Sequence, residues 1–152
     1  MKIRPATPYD TAAIAEFNLA LARETEDLHL PSATVYAGVR ALLEDPAKGL
    51  YFVAEIDGQV AGQMMITYEW SDWRNGVWWW LQSVYVAAPF RQQGVFKELL
   101  EFVRAEARGR ADVCGLRLYM DFHNHTARRA YERNGMVQSN YIVFAQAQNP
   151  GA

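Results

Sequence analysis

The run "VWWWLQSVYV", residues 77–86, contains ten residues and no charge. Apolar side chains fall on both alternating faces for most of its length. A strand of that kind has no face to give to water, so it belongs at the centre of a sheet covered on both sides. Pro89 closes it. The rest of the chain must therefore supply helices above and below this strand.

The flanking segments do so. "KIRPA" reads as a first strand, and Thr7 or Asp10 can cap the helix that follows, with Ile14, Phe17 and Leu21 at helical spacing. The charged run "ETEDLHLP" ends that helix at Pro31, and Ser32 caps a second one carrying Val35, Val39, Leu42 and Leu43, stopped near Asp45-Pro46. "LYFVAEI" and "QVAGQMMITYEW" are two strands joined by Asp57-Gly58, a strong hairpin signal. The polar turn "SDWRNG" leads into the central strand. After it, Val95, Leu99, Phe102 and Val103 mark one face of a helix. "GLRLYMDF" is another strand, and "NHTARRAYERNG" is a short helix with Asn124 at its start and Gly135 just past its end. "MVQSNYIVFAQ" reads as a closing strand. This order predicts an α/β (α+β) fold, a mixed, mostly antiparallel sheet of about six to seven strands with about four helices on both faces. A length of 152 residues with no internal repeat or linker fits one domain over residues 1–152.

Several classes are disfavoured. A net charge of −2 offers no basic surface for nucleic acid. No apolar run reaches the roughly 18 residues of a membrane span. "MKIRPATPYD" lacks an apolar signal core, so a cytoplasmic protein is expected. Cys114 is the single cysteine, which excludes an intrachain disulfide framework and a cysteine-based zinc site. His123 and His125 lack a third ligand at convincing spacing, so no metal is expected. Trp70, Trp73, Trp78, Trp79 and Trp80 crowd one short region, more than a small core needs, and some of them should line a pocket.

The segment after the central strand, Arg91-Gln92-Gln93-Gly94-Val95-Phe96, stands where a turn meets a helix. A helix start carries main-chain N–H groups without helical partners and a partial positive charge. Gly94 lets the backbone approach an anion, and Arg91 and Lys97 flank the turn with cations. A nucleoside-triphosphate loop would need two glycines and Lys-Ser or Lys-Thr, and the dinucleotide fingerprint three glycines. Neither is present. A tight turn with an incidental glycine is the bland alternative.

With its surroundings, the segment resembles the central motif of the GNAT superfamily of acetyl-CoA-dependent N-acetyltransferases. Val84, Val86, Pro89, Arg91 and Gly94 match that motif, whereas Phe96 stands where the family usually has Gly or Ala. Asn124, Ala127, Tyr131 and Gly135 match a second family motif, with Met136 in place of Phe, and Arg4, Ala6, Thr7 and Asp10 look similar to its first strand. The resemblance implies acetyl-CoA as acyl donor. Carried over, Arg91, Gln92, Gln93, Gly94, Val95, Phe96 and Lys97 form a pyrophosphate cradle, Val84, Tyr85 and Val86 meet the pantetheine arm, and Asn124 hydrogen-bonds the coenzyme. The family opens its sheet with a bulge near Val86, where main-chain N–H groups face the oxyanion. Tyr131 is the matched general acid, and it also touches the coenzyme.

The base is not determined by the resemblance. The places where relatives carry a carboxylate hold Trp80, Gln82 and Tyr119, and Glu69 is favoured among the neighbouring carboxylates. The acidic run with Glu24 and Asp27, together with Trp70, Trp73 and Trp80, implies a cationic small-molecule or peptide amine as acceptor. Many relatives are dimers, so a homodimer is compatible. Two rival readings are a non-catalytic acyl-CoA-binding module and a scaffold that uses exposed tryptophans.

Overall fold

The computed structural model describes residues 1–149. It contains five strands and four helices: β1 (Lys2–Pro5), α1 (Thr11–Glu26), α2 (Ser32–Glu44), β2 (Leu50–Ile56), β3 (Gln59–Ser71), β4 (Gly76–Val86), α3 (Val95–Arg108), β5 (Val113–Arg117) and α4 (His125–Arg133). The chain divides into two compact units, Met1–Leu118 and Tyr119–Ala152. Among the described residues no helix is long and apolar enough to cross a membrane.

In the first unit the sheet order is β1-β2-β3-β4-β5. All neighbours are antiparallel except β4 and β5. The uncharged run is thus an inner strand, as its two apolar faces require. Alternation on β2 shows how both faces are covered. Tyr51 and Val53 point into a core with Ile14 and Ala15 of α1 and Val39 and Leu42 of α2. Phe52, between them, points the other way, its ring 5.4 Å from that of Phe102 on α3. Val95, Leu99, Leu100 and Val103 of α3 are all buried, and each such side chain contributes about 1.5–3 kcal/mol on leaving water.

Local chemistry accounts for the joints. Asp57 and Gly58 both have left-handed φ, 49° and 78°, as a type I′ hairpin demands. Thr7 and Asp10 form a reciprocal capping box around a short turn of 3₁₀ helix ahead of α1. Buried Asp10 also takes both terminal nitrogens of the Arg4 guanidinium at 2.9 Å, and Arg4 holds its carboxyl below the usual range. Pro31 rather than Ser32 is the N-cap of α2, one residue earlier than expected.

Two expectations need correction. The strand expected over 115–122 forms as β5 at Val113–Arg117. It pairs with β4 only from Val77 to Trp80, and beyond that point it has no ladder to extend along. The closing strand expected at 136–146 does not form. Tyr141, Ile142, Val143 and Phe144 have strong β-propensity but are exposed, from 66% to 88%. Among the described residues their own unit contains one regular element, α4, and no strand for them to pair with. Five strands therefore stand where six to seven were expected.

Candidate active site

β4 changes character along its length. From Gly76 to Leu81 it pairs with β3, and over Val77–Trp80 with β5 as well. Past Leu81 only β3 accompanies it. There the register jumps from Met65↔Gln82 to Gln63↔Tyr85, so Ser83 and Val84 together oppose one residue, Met64. This is a β-bulge, and Ser83 carries a φ of 48°, unusual for a residue with a side chain. The extra residue breaks the alternation, so Gln82 and Tyr85 face the same side, the side of α1. On its other edge, β4 has no β5 partner past Trp80.

The cradle segment follows. Gln92 and Gly94 are left-handed, with φ of 63° and 80°. Gly94 is the N-cap of α3. A Cβ at Gly94 would meet nothing within 4 Å. The glycine is thus required for its backbone angle, and the space before it is open to a ligand. The first main-chain bond of α3 runs from the Glu98 N–H to the Gly94 carbonyl at 3.0 Å, so the amides of Val95 and Lys97 precede the helical ladder. Phe96 is half-buried in the first turn, and α3 starts regularly at Val95 despite it.

Arg91 folds back along β4. Its Nε donates to the Val86 carbonyl at 2.9 Å, and a terminal nitrogen donates to Glu24 Oε2 at 2.7 Å. The other oxygen of Glu24 accepts from the Tyr85 hydroxyl at 2.8 Å. Burial and the neighbouring Glu24 carboxylate raise the Tyr85 phenol, and hydrogen bonds from Tyr85 and Arg91 hold Glu24 low against its desolvation. Glu24 therefore links α1 to the end of β4 and to the turn that precedes α3. Asp27 ends α1 in a left-handed conformation and is exposed.

Five residues back along β4, about 15 Å on strand geometry, lies a second polar cluster on the same face. Glu69 Oε1 accepts from Trp80 Nε1 at 3.0 Å, and Glu69 Oε2 accepts from Arg117 at 2.8 Å. The Arg117 guanidinium lies 3.9 Å from the centre of the Trp78 ring, a cation–π contact. Trp78 in turn lies across Gly115, where a Cβ would come within 2.7 Å of it.

The tryptophans do not act together. Trp80 faces the α1 side with Glu69. Trp79 is buried on the α3 side. Trp70 pairs with Val77 and projects to that same α3 side, opposite Trp80. Trp73 lies in the turn and is 85% exposed. A cavity of about 580 Å³ lies elsewhere, at Pro8, Tyr9, Tyr36, Arg40 and Glu44, and contains none of the expected site residues.

In the second unit, the Asn124 side chain accepts from the Ala127 N–H at 3.1 Å and caps α4. Gly135, with φ 80°, ends it in a Schellman motif: its N–H donates to the Glu132 carbonyl, and that of Met136 to the Tyr131 carbonyl. Burial raises the Tyr131 phenol above its ordinary range.

The family model described as acetyltransferase (GNAT) family matches residues 14–136. The chain belongs to this family. A solved structure of a possible acetyltransferase from Clostridium difficile 630 is 39% identical, with 96% of each chain covered and a TM-score of 0.91. At 14% identity, a predicted acetyltransferase with acetyl-CoA from Clostridium acetobutylicum shares the fold at a TM-score of 0.78, with 95% of each chain covered. So does an aminoglycoside acetyltransferase from an uncultured soil metagenomic sample in complex with sisomicin, also 14% identical, at 0.78 with 97% of this chain and 96% of that one covered. Among curated proteins none matches.

As a GNAT fold, the molecule has features that its motifs did not announce. Ser83 and Gln63 carry no motif, yet Gln63 Nε2 donates to the Ser83 carbonyl at 3.1 Å. A polar side chain inside the apolar run of residues 60–66 was the signal available. Among the described residues no cluster of His, Cys, Asp or Glu could hold a metal ion.

Proposed function

We propose that this protein transfers an acetyl group from acetyl-CoA to an amine of a small molecule or peptide, both units serving one acetyltransferase domain. The observation that carries this reading is the β4 bulge, followed after a 3₁₀ turn at Ala88–Phe90 by an open left-handed turn at a helix start. Residues 91–97 fit a pyrophosphate, because Gly94 leaves room for it and the amides before the α3 ladder offer donors. Val84, Tyr85 and Val86 would lie along the pantetheine arm, and Asn124 would bond the coenzyme. Bound there, acetyl-CoA supplies an acyl thioester.

The chain's own groups then divide the work. Bulge amides offer hydrogen bonds where the carbonyl oxygen gathers charge. Tyr131 donates a proton to the departing thiolate. An ordinary thiol near 8.5 and an ordinary phenol near 10 are close enough for that exchange; burial widens the gap and keeps Tyr131 protonated until the thiolate departs. Glu24, with Asp27 beside it, attracts a cationic amine, while Trp80 gives its body an apolar contact, and Trp70 and Trp73 reach it only from outside that face. Glu69 takes the amine's proton in this reading, which requires it to exchange a contact with Trp80 or Arg117 for a water, and a relay of waters to span the roughly 15 Å along β4 to the Glu24 end.

A thiol-release assay with acetyl-CoA and a panel of amines tests the proposal. The panel includes an aminoglycoside, a polyamine and a peptide N-terminus. Cationic amines should release thiol, and Tyr131→Phe should lower kcat by about a hundredfold while acetyl-CoA still raises the Tm. Binding without release from any amine would instead favour a non-catalytic acyl-CoA module. Release with neutral or anionic acceptors alone would sink the acidic-pocket idea.

A further inference from the structure

Gln63 is wholly buried in the middle of β3. Its neighbours on the strand, Gly62, Met64 and Met65, are apolar, and a methionine would fill the same volume. Burying an amide is unfavourable unless it is bonded. Gln63 Nε2 donates to two groups: the Asn18 side-chain oxygen on α1 at 2.7 Å and the Ser83 carbonyl on β4 at 3.1 Å. Asn18 in turn donates to the Tyr51 hydroxyl at 3.0 Å, a phenol that burial raises and that Asn18 and Ser83 partly offset. The other Gln63 atom, Oε1, is buried with no donor among the described residues. Such a half-satisfied group is a poor choice for stability alone.

Its main-chain partner explains the choice. Ser83 is the left-handed residue of the bulge, and two residues there face one on β3. At the bulge the Ser83 carbonyl accepts from the Gln63 side-chain amide, which reaches it from within β3. The same side chain ties the bulge through Asn18 to α1, the helix that carries Glu24.

We infer that Gln63 is a positioning residue which holds the Ser83–Val84 bulge in place and so aims the β4 amides at the acyl carbonyl. The inference rests on the acetyl-transfer reading above. It makes Gln63 neither a ligand nor a general acid: it acts through the bulge that it holds to β3 and α1.

The test is Gln63→Met, which keeps volume and removes the donor. The expected result is a kcat lower by about tenfold to a hundredfold, since misplacement of a donor by an ångström has effects of that size. The acetyl-CoA Kd should stay within about threefold, because the cradle at 91–97 is not held by Gln63. Hydrogen exchange at the Ser83 and Val84 amides should quicken. Gly adopts positive φ without strain, so Ser83→Gly in the Gln63→Met background should recover part of the kcat, which a purely structural loss would not. A folded Gln63→Met with kcat within about twofold of wild type would overturn the inference, as would a kcat loss that Ser83→Gly leaves untouched. Failure of the underlying reading looks different: wild-type protein itself would release no thiol from any amine.

Discussion

The two halves of β4 are one strand with two physical lives. From Gly76 to Leu81 the backbone pairs on both edges with β3 and β5 near Trp79, whose side chain is packed away on the α3 side. From Gln82 to Val86 one edge is released, the alternation is broken at Ser83, and polar contacts replace packing: the Ser83 carbonyl accepts from Gln63, the Tyr85 hydroxyl donates to Glu24, and Arg91 lies over the Tyr85 ring. The first half spends its hydrogen bonds on the sheet. The second leaves one edge without a ladder. In the function proposed above, a thioester bound against the strand needs both, because the released amides point reliably only if the rest of the strand cannot move.

The largest effect should come from the closed half. Trp79→Ala removes a buried aromatic and should destabilise the fold by about 3–5 kcal/mol in denaturant unfolding, while the surviving folded protein still shows a Tm increase with acetyl-CoA. Loss of coenzyme binding without loss of stability would erase the distinction between the halves. Gly94→Ala probes the open end. Its added methyl meets no protein atom, so the folding penalty is the left-handed φ alone, about 1–2 kcal/mol. The acetyl-CoA Kd, read by calorimetric titration, should weaken by more than that strain accounts for, about tenfold. An unchanged Kd would mean the cradle lies elsewhere.

The smallest effect concerns Tyr85. Its phenol is raised in the folded state by burial and by Glu24. A raised value stabilises the fold fully below the unfolded tyrosine value, near 10, and that contribution is lost as pH climbs through the higher folded value. Tyr85→Phe should therefore flatten the fall in Tm above about pH 10. Tyr51 shifts in the same direction, so the alkaline limb shrinks without vanishing. A limb of unchanged steepness would show that Tyr85 is not held by Glu24 in solution.

Much of this was legible in the chain. Asp57-Gly58 announced its hairpin because a type I′ turn needs left-handed residues that few others supply. Asn124 and Gly135 bracketed α4 because helix ends demand those chemistries. The strand, turn and helix over residues 84–97 could be read because they are contiguous. The tryptophan cluster misled for the opposite reason. Five rings close in sequence are divided by strand alternation between two faces and a turn, so proximity along the chain was not proximity in space. "MVQSNYIVFAQ" has the composition of a strand, yet pairing depends on a neighbour that composition cannot provide.

What the sequence by itself determined is whatever local chemistry dictates: the uncharged central strand, the hairpins, the helix caps and the glycine that starts α3. Only the tertiary structure decided that Ser83 forms a bulge, that Gln82 and Tyr85 thereby share a face, and that Glu24, sixty-one residues from Tyr85 along the chain, bonds its hydroxyl. A bulge is a register difference between two strands, and a register belongs to the pair rather than to either strand alone.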